Sequence, residues 1–124
     1  MIKRSLTTSI VKLKCPKCRQ GNLFIENGLF QFKNILKMPD HCSVCQQKFE
    51  IEPGFWIGAL WTSYPILIAI EVPFLLLALL SETINPWLSF GCMLIAFILF
   101  YPLMLRLGRS LWIHISIRFD GKRY

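Results

Sequence analysis

The chain has 124 residues, a formal net charge of +7 and an apolar content of 54%. Its charges are segregated: residues 55–105 contain only Glu71 and Glu82, whereas basic residues concentrate in 1–48 and 106–124. Such segregation argues against one soluble globular domain and is typical of membrane-spanning segments joined to a polar module. Basic loops on the cytoplasmic side of a membrane explain the positive charge better than nucleic-acid binding, so we expect no nucleic-acid partner.

The N-terminal segment, residues 1–14, lacks the apolar run that a cleavable secretion signal requires. Leu6, Ile10 and Leu13 recur at helical spacing among basic residues. We therefore predict a short amphipathic helix, which lies either on the inner surface of the membrane or against the polar module that follows.

The next segment, residues 15–54, contains two Cys-x-x-Cys pairs: Cys15 with Cys18, and Cys42 with Cys45. Each pair presents two sulfurs from one tight turn, and two such turns complete the tetrahedral four-sulfur shell that suits Zn²⁺. We predict a structural zinc site with these four cysteines as ligands. Iron in the same four sulfurs, as in a rubredoxin-like electron carrier or a thiol or metal redox sensor, is the alternative. Disulfides are not expected, because cytoplasmic thiols stay reduced.

Short apolar runs between and after the cysteine pairs predict β-strands, at 22–25, 28–32 and 46–51. A module this small cannot build a sufficient core by itself, so a bound metal is expected to supply the missing stability. The predicted fold of residues 15–54 is therefore a small β-rich, zinc-ribbon-like module.

Residues 55–107 are predicted to form a membrane α-helical hairpin of two transmembrane helices, at about 55–80 and 86–107. As a helix, the first stretch covers about 39 Å, enough to cross a hydrocarbon core of about 30 Å with tilt. Asn85 followed by Pro86 is typical of a helix start, with Asn as the N-cap and Pro at the first helical position.

The linker between the two helices, residues 81–85, contains no Lys or Arg, whereas both flanking segments are basic. Its shortness makes the helices antiparallel neighbours. The positive-inside rule then places both termini and the metal module in the cytoplasm and the linker on the opposite side of the membrane.

Aromatic residues near the ends of the spans are predicted membrane-interface anchors: Trp56, Trp61, Trp87 and Tyr101. Glu71 is the one ionisable side chain well inside a span, where a carboxylate is costly unless it is protonated, paired or facing protein. It is therefore a candidate functional residue, and a protonated Glu with a purely structural role is the alternative.

The basic segment 108–124 is predicted to be a cytoplasmic tail. Apolar residues alternate with other residues between 111 and 119, which favours a strand. Extension of the second helix beyond Gly108 is the alternative.

Catalytic constellations do not appear in the sequence. It contains no nucleophile–base–orienter set, no Gly-rich phosphate loop and no paired carboxylates suited to acid–base work. We therefore expect a non-enzymatic protein, and no small-molecule substrate is identified.

Beyond the cysteine pairs, the chain carries three distinctive stretches: CPKCRQGNLF at 15–24, MPDHCSVC at 38–45 and FEIEPGFWIGALWTSYP at 49–65. In these stretches it resembles the bacterial family catalogued as domain of unknown function 983, over nearly the whole chain. That family often has Gly after each Cys-x-x-Cys, where this chain has Arg19 and Gln46.

The resemblance implies a zinc-ribbon-like region followed by two membrane helices, with no established activity. Genes of similar proteins in some lineages lie near those for haem–copper oxidases. What the resemblance implies is therefore an accessory, assembly or structural subunit of a bacterial inner-membrane complex. The respiratory chain is the expected setting, with other complex subunits, cytochrome oxidase among them, and the lipid bilayer as partners.

Overall fold

The computed structural model describes residues 5–30 and 32–121. Within them the chain forms three helices: α1 (Leu6–Val11), α2 (Ile57–Leu80) and α3 (Pro86–Ser116). Helices α2 and α3 pack side by side as a hairpin. The residues between α1 and α2 fold against the C-terminal end of α3 and form what we call the cysteine module.

Both long helices are apolar enough and long enough to cross a membrane, as the sequence predicts. The rest of the chain covers little of their surface: only 6% of the most apolar stretch of α2 and 22% of that of α3 is buried. Core helices of soluble proteins are mostly covered by their neighbours, so these exposed apolar surfaces match a lipid environment instead.

Helix α3 begins as predicted and ends later than predicted. The side chain of Asn85 accepts a hydrogen bond of 3.0 Å from the backbone N–H of Trp87, with Pro86 at the first helical position. The helix then continues to Ser116, and its 31 residues span about 46 Å. The strand favoured for 111–119 is wrong over the helical residues, and the alternative of a helix extended beyond Gly108 is correct.

The strand prediction fails at the end of α3 because the buried positions there satisfy both the two-residue alternation of a strand and the periodicity of a helix. Ile113 and Ile117 are separated by four residues, which satisfies a period of two and also one turn of a helix. Both are buried, whereas Ile115, which a strand would place on the same face, is 65% exposed. The last turns of α3 therefore present one apolar face to the cysteine module.

Close backbone approach joins α2 and α3 at the end of the hairpin nearest the cysteine module. The Thr62 hydroxyl donates a hydrogen bond of 2.7 Å to the carbonyl of Gly108, and the Trp112 indole N–H donates one of 2.9 Å to the carbonyl of Phe55. A Cβ at Gly108 would overlap Ser63, including its backbone. Only glycine therefore fits at position 108 without a movement of α2.

Replacing Gly108 with Ala is expected to destabilise the hairpin by about 1–3 kcal/mol, the usual cost of overpacking, because α2 must move away. The matched control is Gly91→Ala in the same helix, where an added Cβ meets nothing within 4 Å. Thermal unfolding of both variants in detergent micelles checks the difference. Equal melting temperatures for the two variants would refute the close approach.

The β-rich module predicted for residues 15–54 is wrong, since no strand forms in the part of this segment that the structure describes. Two isolated antiparallel bridges remain, Lys14 with Asn22 and His41 with Lys48. Leu23 and Phe24 are consecutive and both buried, which is incompatible with one-sided alternation along a strand. Backbone carbonyls farther along this segment bind arginine side chains of α3 instead of a neighbouring strand.

The predicted N-terminal helix forms as the short α1, and it packs against the rest of the protein. Ser9 in α1 is buried, and the Ser110 hydroxyl of α3 donates a hydrogen bond of 2.9 Å to the carbonyl of Ile10. Two basic residues of the predicted amphipathic segment, Lys3 and Arg4, lie outside the residues that the structure describes.

Candidate metal centre

The four predicted ligands, Cys15, Cys18, Cys42 and Cys45, converge on one point. All four sulfurs lie within 4.8 Å of one another. The Cys15 and Cys45 sulfurs are 3.7 Å apart, and those of Cys18 and Cys42 are 3.8 Å apart. A tetrahedral ion about 2.3 Å from each sulfur requires separations of about 3.8 Å, whereas a disulfide requires about 2.05 Å. The cluster therefore fits one metal ion, and the same tetrahedral geometry serves zinc and iron.

Two similar backbone turns hold the sulfurs. In the first, the N–H of Arg19 donates to the carbonyl of Cys15 at 2.9 Å; in the second, the N–H of Gln46 donates to the carbonyl of Cys42 at 3.0 Å. The N–H of Val44 also points at the Cys42 sulfur, 3.5 Å away. Backbone N–H groups aimed at sulfur stabilise the thiolate, which is the form that binds metal.

The residue after each cysteine pair has a left-handed backbone conformation, with φ of +56° at both Arg19 and Gln46. These are the positions where the related family often has Gly. For a residue with a Cβ this conformation costs about 1–2 kcal/mol, whereas Gly adopts it freely.

We therefore expect Gln46→Gly to raise the free energy of unfolding of the metal-loaded protein by about 0.5–1 kcal/mol, after the greater freedom of Gly in the unfolded chain is deducted. Gln46→Ala keeps the strain and serves as the control, with an expected change within about 0.5 kcal/mol. Chemical denaturation in micelles measures both. A Gly variant less stable than the Ala variant would contradict the strain at this turn.

The two turns also pack directly on each other. A Cβ at Gly21, which closes the first turn, would run into the sulfur of Cys42 in the second. A side chain at position 21 would therefore displace a ligand, so this glycine keeps the two sulfur pairs close enough to share an ion.

Burial sets the ionisation of the thiols in the metal-free state. Cys15, Cys18 and Cys42 are buried and Cys45 is half-buried. Burial raises the pKa of the Cys15 and Cys45 thiols. At Cys42 burial acts in the same direction, but hydrogen bonds from the N–H groups of Cys45 and Val44 help to outweigh it, and the pKa is lowered. A bound cation must displace the remaining protons, so metal affinity is expected to fall as the pH is lowered.

The metal cluster and the C-terminal end of α3 share one apolar core. Ile113 of α3 and Ile117, which directly follows the helix, belong to one buried cluster with three of the ligand cysteines. The cluster also includes Leu23, Phe24 and Phe49 of the module. The long helix thus continues from the apolar hairpin into the core of the cysteine module, so the site and the hairpin are one folded unit.

Arg106 reinforces this junction. Its side chain is fully buried, and its guanidinium lies 4.9 Å from the centre of the Phe24 ring. The same guanidinium donates hydrogen bonds to backbone carbonyls of the segment between the two cysteine pairs: Glu26 at 2.9 Å, Ile35 at 3.0 Å, Gly28 and, at 3.4 Å, Asn34.

Arg109, one turn later in α3, binds the same segment. It donates to the carbonyl of Leu36 at 3.2 Å, and its guanidinium lies 4.7 Å from the centre of the Trp56 ring. From the sequence, both arginines are only part of the basic segment 106–124, whose positive charge predicts the topology. No local pattern identifies partners some 70 or more residues away along the chain.

In a comparison with protein families, the model described as "Protein of unknown function (DUF983)" matches residues 32–116, more than half of the chain. The chain belongs to the DUF983 family. The match includes Cys42, Cys45, both long helices and the two arginines, whereas Cys15 and Cys18 precede it. It is thus shorter than the resemblance noted above, which extended over nearly the whole chain. No curated protein and no solved structure matches this DUF983 member.

Two further side chains of metal-binding type in this DUF983 member, those of His41 and Cys92, are not part of the sulfur cluster. His41 precedes the second cysteine pair, but it is exposed and forms a bridge with Lys48. Cys92 is exposed on α3. The described side chains close enough to share an ion are therefore the four predicted cysteines.

The predicted interface anchors have different surroundings. Trp61 on α2 and Trp87 on α3 are strongly exposed, near opposite ends of the hairpin. Tyr101 is partly exposed, with its ring centre 5.9 Å from that of Phe97. Trp56 is half-buried and packs on the core of the cysteine module. An interfacial role for these residues remains a prediction.

Glu71 lies in the middle of α2 and is half-buried. One of its carboxyl oxygens is buried and has no hydrogen-bond partner among the residues that the structure describes. Glu71 thus places a buried polar atom inside a predicted span, and its functional role stays a prediction.

Proposed function

We propose that this DUF983 protein is a non-enzymatic, membrane-anchored metal protein that serves as an accessory, assembly or structural subunit of a bacterial inner-membrane complex. The observation that supports it most is the shared core of the sulfur cluster and α3. Because Ile113 and Ile117 pack beside the ligand cysteines, a bound metal would make the cysteine module rigid, and the end of α3 would hold the surface of the module at a fixed position beside the membrane. A closed four-cysteine site without an open ligand position suits a structural role.

The proposed topology places both termini and the cysteine module in the cytoplasm. The basic residues of the described chain lie at the module end of the hairpin, and the linker 81–85 has none. Membrane-impermeant thiol labelling of intact cells checks this. The reporter is a cysteine introduced as Ser116→Cys, because Ser116 is exposed beside the module whereas the native module cysteines are buried or half-buried. Its protection until the cells are lysed supports the proposal, and its labelling from the periplasm refutes it.

The metal we propose is structural zinc. Metal analysis and a visible spectrum of the protein purified from its native membranes test this directly. A colourless protein with one zinc per chain supports the structural role, whereas the absorption of ferric tetrathiolate refutes it.

A membrane-anchored, rubredoxin-like electron carrier is the second candidate. One observation favours it: Cys45 is half-buried, whereas the other three ligands are buried, so one edge of the cluster lies near the surface. An iron-loaded protein that is reduced and reoxidised reversibly would support this candidate over the first.

The proposed partners are other subunits of the complex, with cytochrome oxidase expected first because of the family resemblance. Purification from native membranes in mild detergent, followed by mass spectrometry, tests the pairing. Oxidase subunits that co-purify with the wild type but not with a Cys42→Ser variant would support it, and their absence from both would refute it.

A role for the Glu71 charge in this assembly is tested with Glu71→Gln, which keeps the shape and removes the acid. Reduced recovery of the complex would support a role, and unchanged recovery would refute it.

A further inference from the structure

The segment between the cysteine pairs forms a closed loop beside α3, which we call the carbonyl loop and define as residues 25–30 and 32–37. Its ends meet: the N–H of Ile25 donates to the carbonyl of Lys37 at 3.2 Å. A side-chain hydrogen bond of 3.0 Å from Asn34 to Glu26 closes it a second time. Loops of this kind, with adjacent ends, are compact units on a protein surface.

The carbonyl loop exposes several large apolar side chains. Phe30 and Phe32 are 56% and 57% exposed, and Ile25 and Leu36 are exposed as well. Large aromatic side chains that the protein itself does not cover indicate an apolar partner.

The depth of the loop identifies that partner. The Phe30 ring centre lies 5.9 Å from that of Phe100 in α3, in an edge-on contact. Phe100 lies about 9 Å along the helix axis before Arg106, within the uncharged part of α3. From Trp87 to Arg106 the helix covers about 29 Å, close to the thickness of a hydrocarbon core. The surface of Phe30 is thus continuous with the part of α3 that spans the bilayer.

The hydrogen bonds of the loop agree with this depth. Irregular backbone inside a bilayer must have its polar groups satisfied by protein, because water is absent there. The buried guanidinium of Arg106 binds loop carbonyls at Glu26, Gly28 and Ile35. In water those carbonyls would be hydrated at no cost, so an arginine dedicated to them is needed chiefly where water is excluded.

We propose that the carbonyl loop inserts its aromatic side chains into the acyl-chain region of the leaflet next to the cysteine module. Lipid is then the partner of Phe30 and Phe32, and the exposed Lys33 and Lys37 extend toward the phosphates of the headgroups. The inference rests on the proposed membrane insertion of α2 and α3.

Site-specific photocrosslinking tests the insertion. Full-length variants carry Phe30→p-benzoylphenylalanine, Phe90→p-benzoylphenylalanine or Phe119→p-benzoylphenylalanine and are reconstituted in vesicles of phosphatidylethanolamine and phosphatidylglycerol. Phe90, in α3, matches Phe30 in exposure, at 57% against 56%. Phe119 is 45% exposed, follows α3, and has the Arg19 guanidinium 4.0 Å from its ring centre, which marks a polar setting.

We expect crosslinked adducts with lipid acyl chains at positions 30 and 90, and no such adducts at position 119. Adducts at 90 without adducts at 30, or a protein adduct at 30 in native membranes, would overturn the insertion of the loop. Absence of adducts at 90 would instead refute the spanning hairpin, so the two failures are distinguishable. If the position 30 variant no longer binds metal, Phe32→p-benzoylphenylalanine decides in the same way.

Discussion

Replacing Arg106 with Met is expected to destabilise the protein by about 3 kcal/mol or more, because at least three loop carbonyls lose their donor. The carbonyls of Glu26 and Ile35 lie 2.9 and 3.0 Å from the guanidinium, and that of Gly28 is also in contact. A buried acceptor left unsatisfied costs about 1–3 kcal/mol, and Met fills the space without donating. The stability of Arg106→Lys is expected to lie between those of the wild type and Arg106→Met, because one ammonium group cannot reach all of the loop carbonyls.

Chemical denaturation in micelles, with hydrogen exchange of residues 25–37, measures the effect. Arg118→Met is the control: Arg118 is exposed, and its loss should change stability by no more than about 0.5 kcal/mol. Faster exchange across the loop is expected in the Arg106 variant alone. If the Arg106 and Arg118 variants unfold alike, the carbonyl contacts contribute nothing to stability.

The parts of the fold that were predictable are those fixed by neighbours in the chain. The Asn85-Pro86 start of α3 needs only a side-chain acceptor and a preset φ, and both are local properties. The cysteine cluster was equally predictable from the sequence, because the spacing within each Cys-x-x-Cys pair places two ligands close together before the chain folds. The two pairs then bind the same ion, because the metal prefers four ligands in a tetrahedral arrangement.

The parts that escaped prediction depend on distant contacts. The apolar run at 22–25 satisfies strand patterning, yet Leu23 and Phe24 are both buried because the C-terminal end of α3 and the residue after it supply Ile113 and Ile117 to their core. Arg106 looks like any basic residue at the end of a span, since its acceptors are backbone carbonyls and leave no trace in the sequence.

Removal of the metal is expected to unfold the cysteine module and leave the hairpin formed. Structural zinc contributes about 10–16 kcal/mol at neutral pH, as much as or more than the net stability of a small domain. Without it, the thiols of Cys15 and Cys42 are left as buried polar groups in a core that is otherwise small. Helices α2 and α3 keep their apolar environment in micelles, so most of the helical circular dichroism should persist.

The sharpest form of this experiment pairs Cys42→Ser with Cys92→Ser. Cys42 is a buried member of the cluster, whereas Cys92 is exposed on α3, and each substitution exchanges one sulfur for oxygen. The first variant should lose its metal and its slow amide exchange around residues 13–24 and 42–49, and chelation of the wild type should have the same effect. The Cys92 variant should retain both its metal and its slow amide exchange.

The end of α3 should respond to loss of the metal as well. Because Ile113 and Ile117 share the core of the cluster, amides in the last turns of α3 should also lose protection in the Cys42 variant, whereas those near Trp87 should not. A metal-free protein that keeps slow exchange in the module would show that apolar packing alone holds the four sulfurs together.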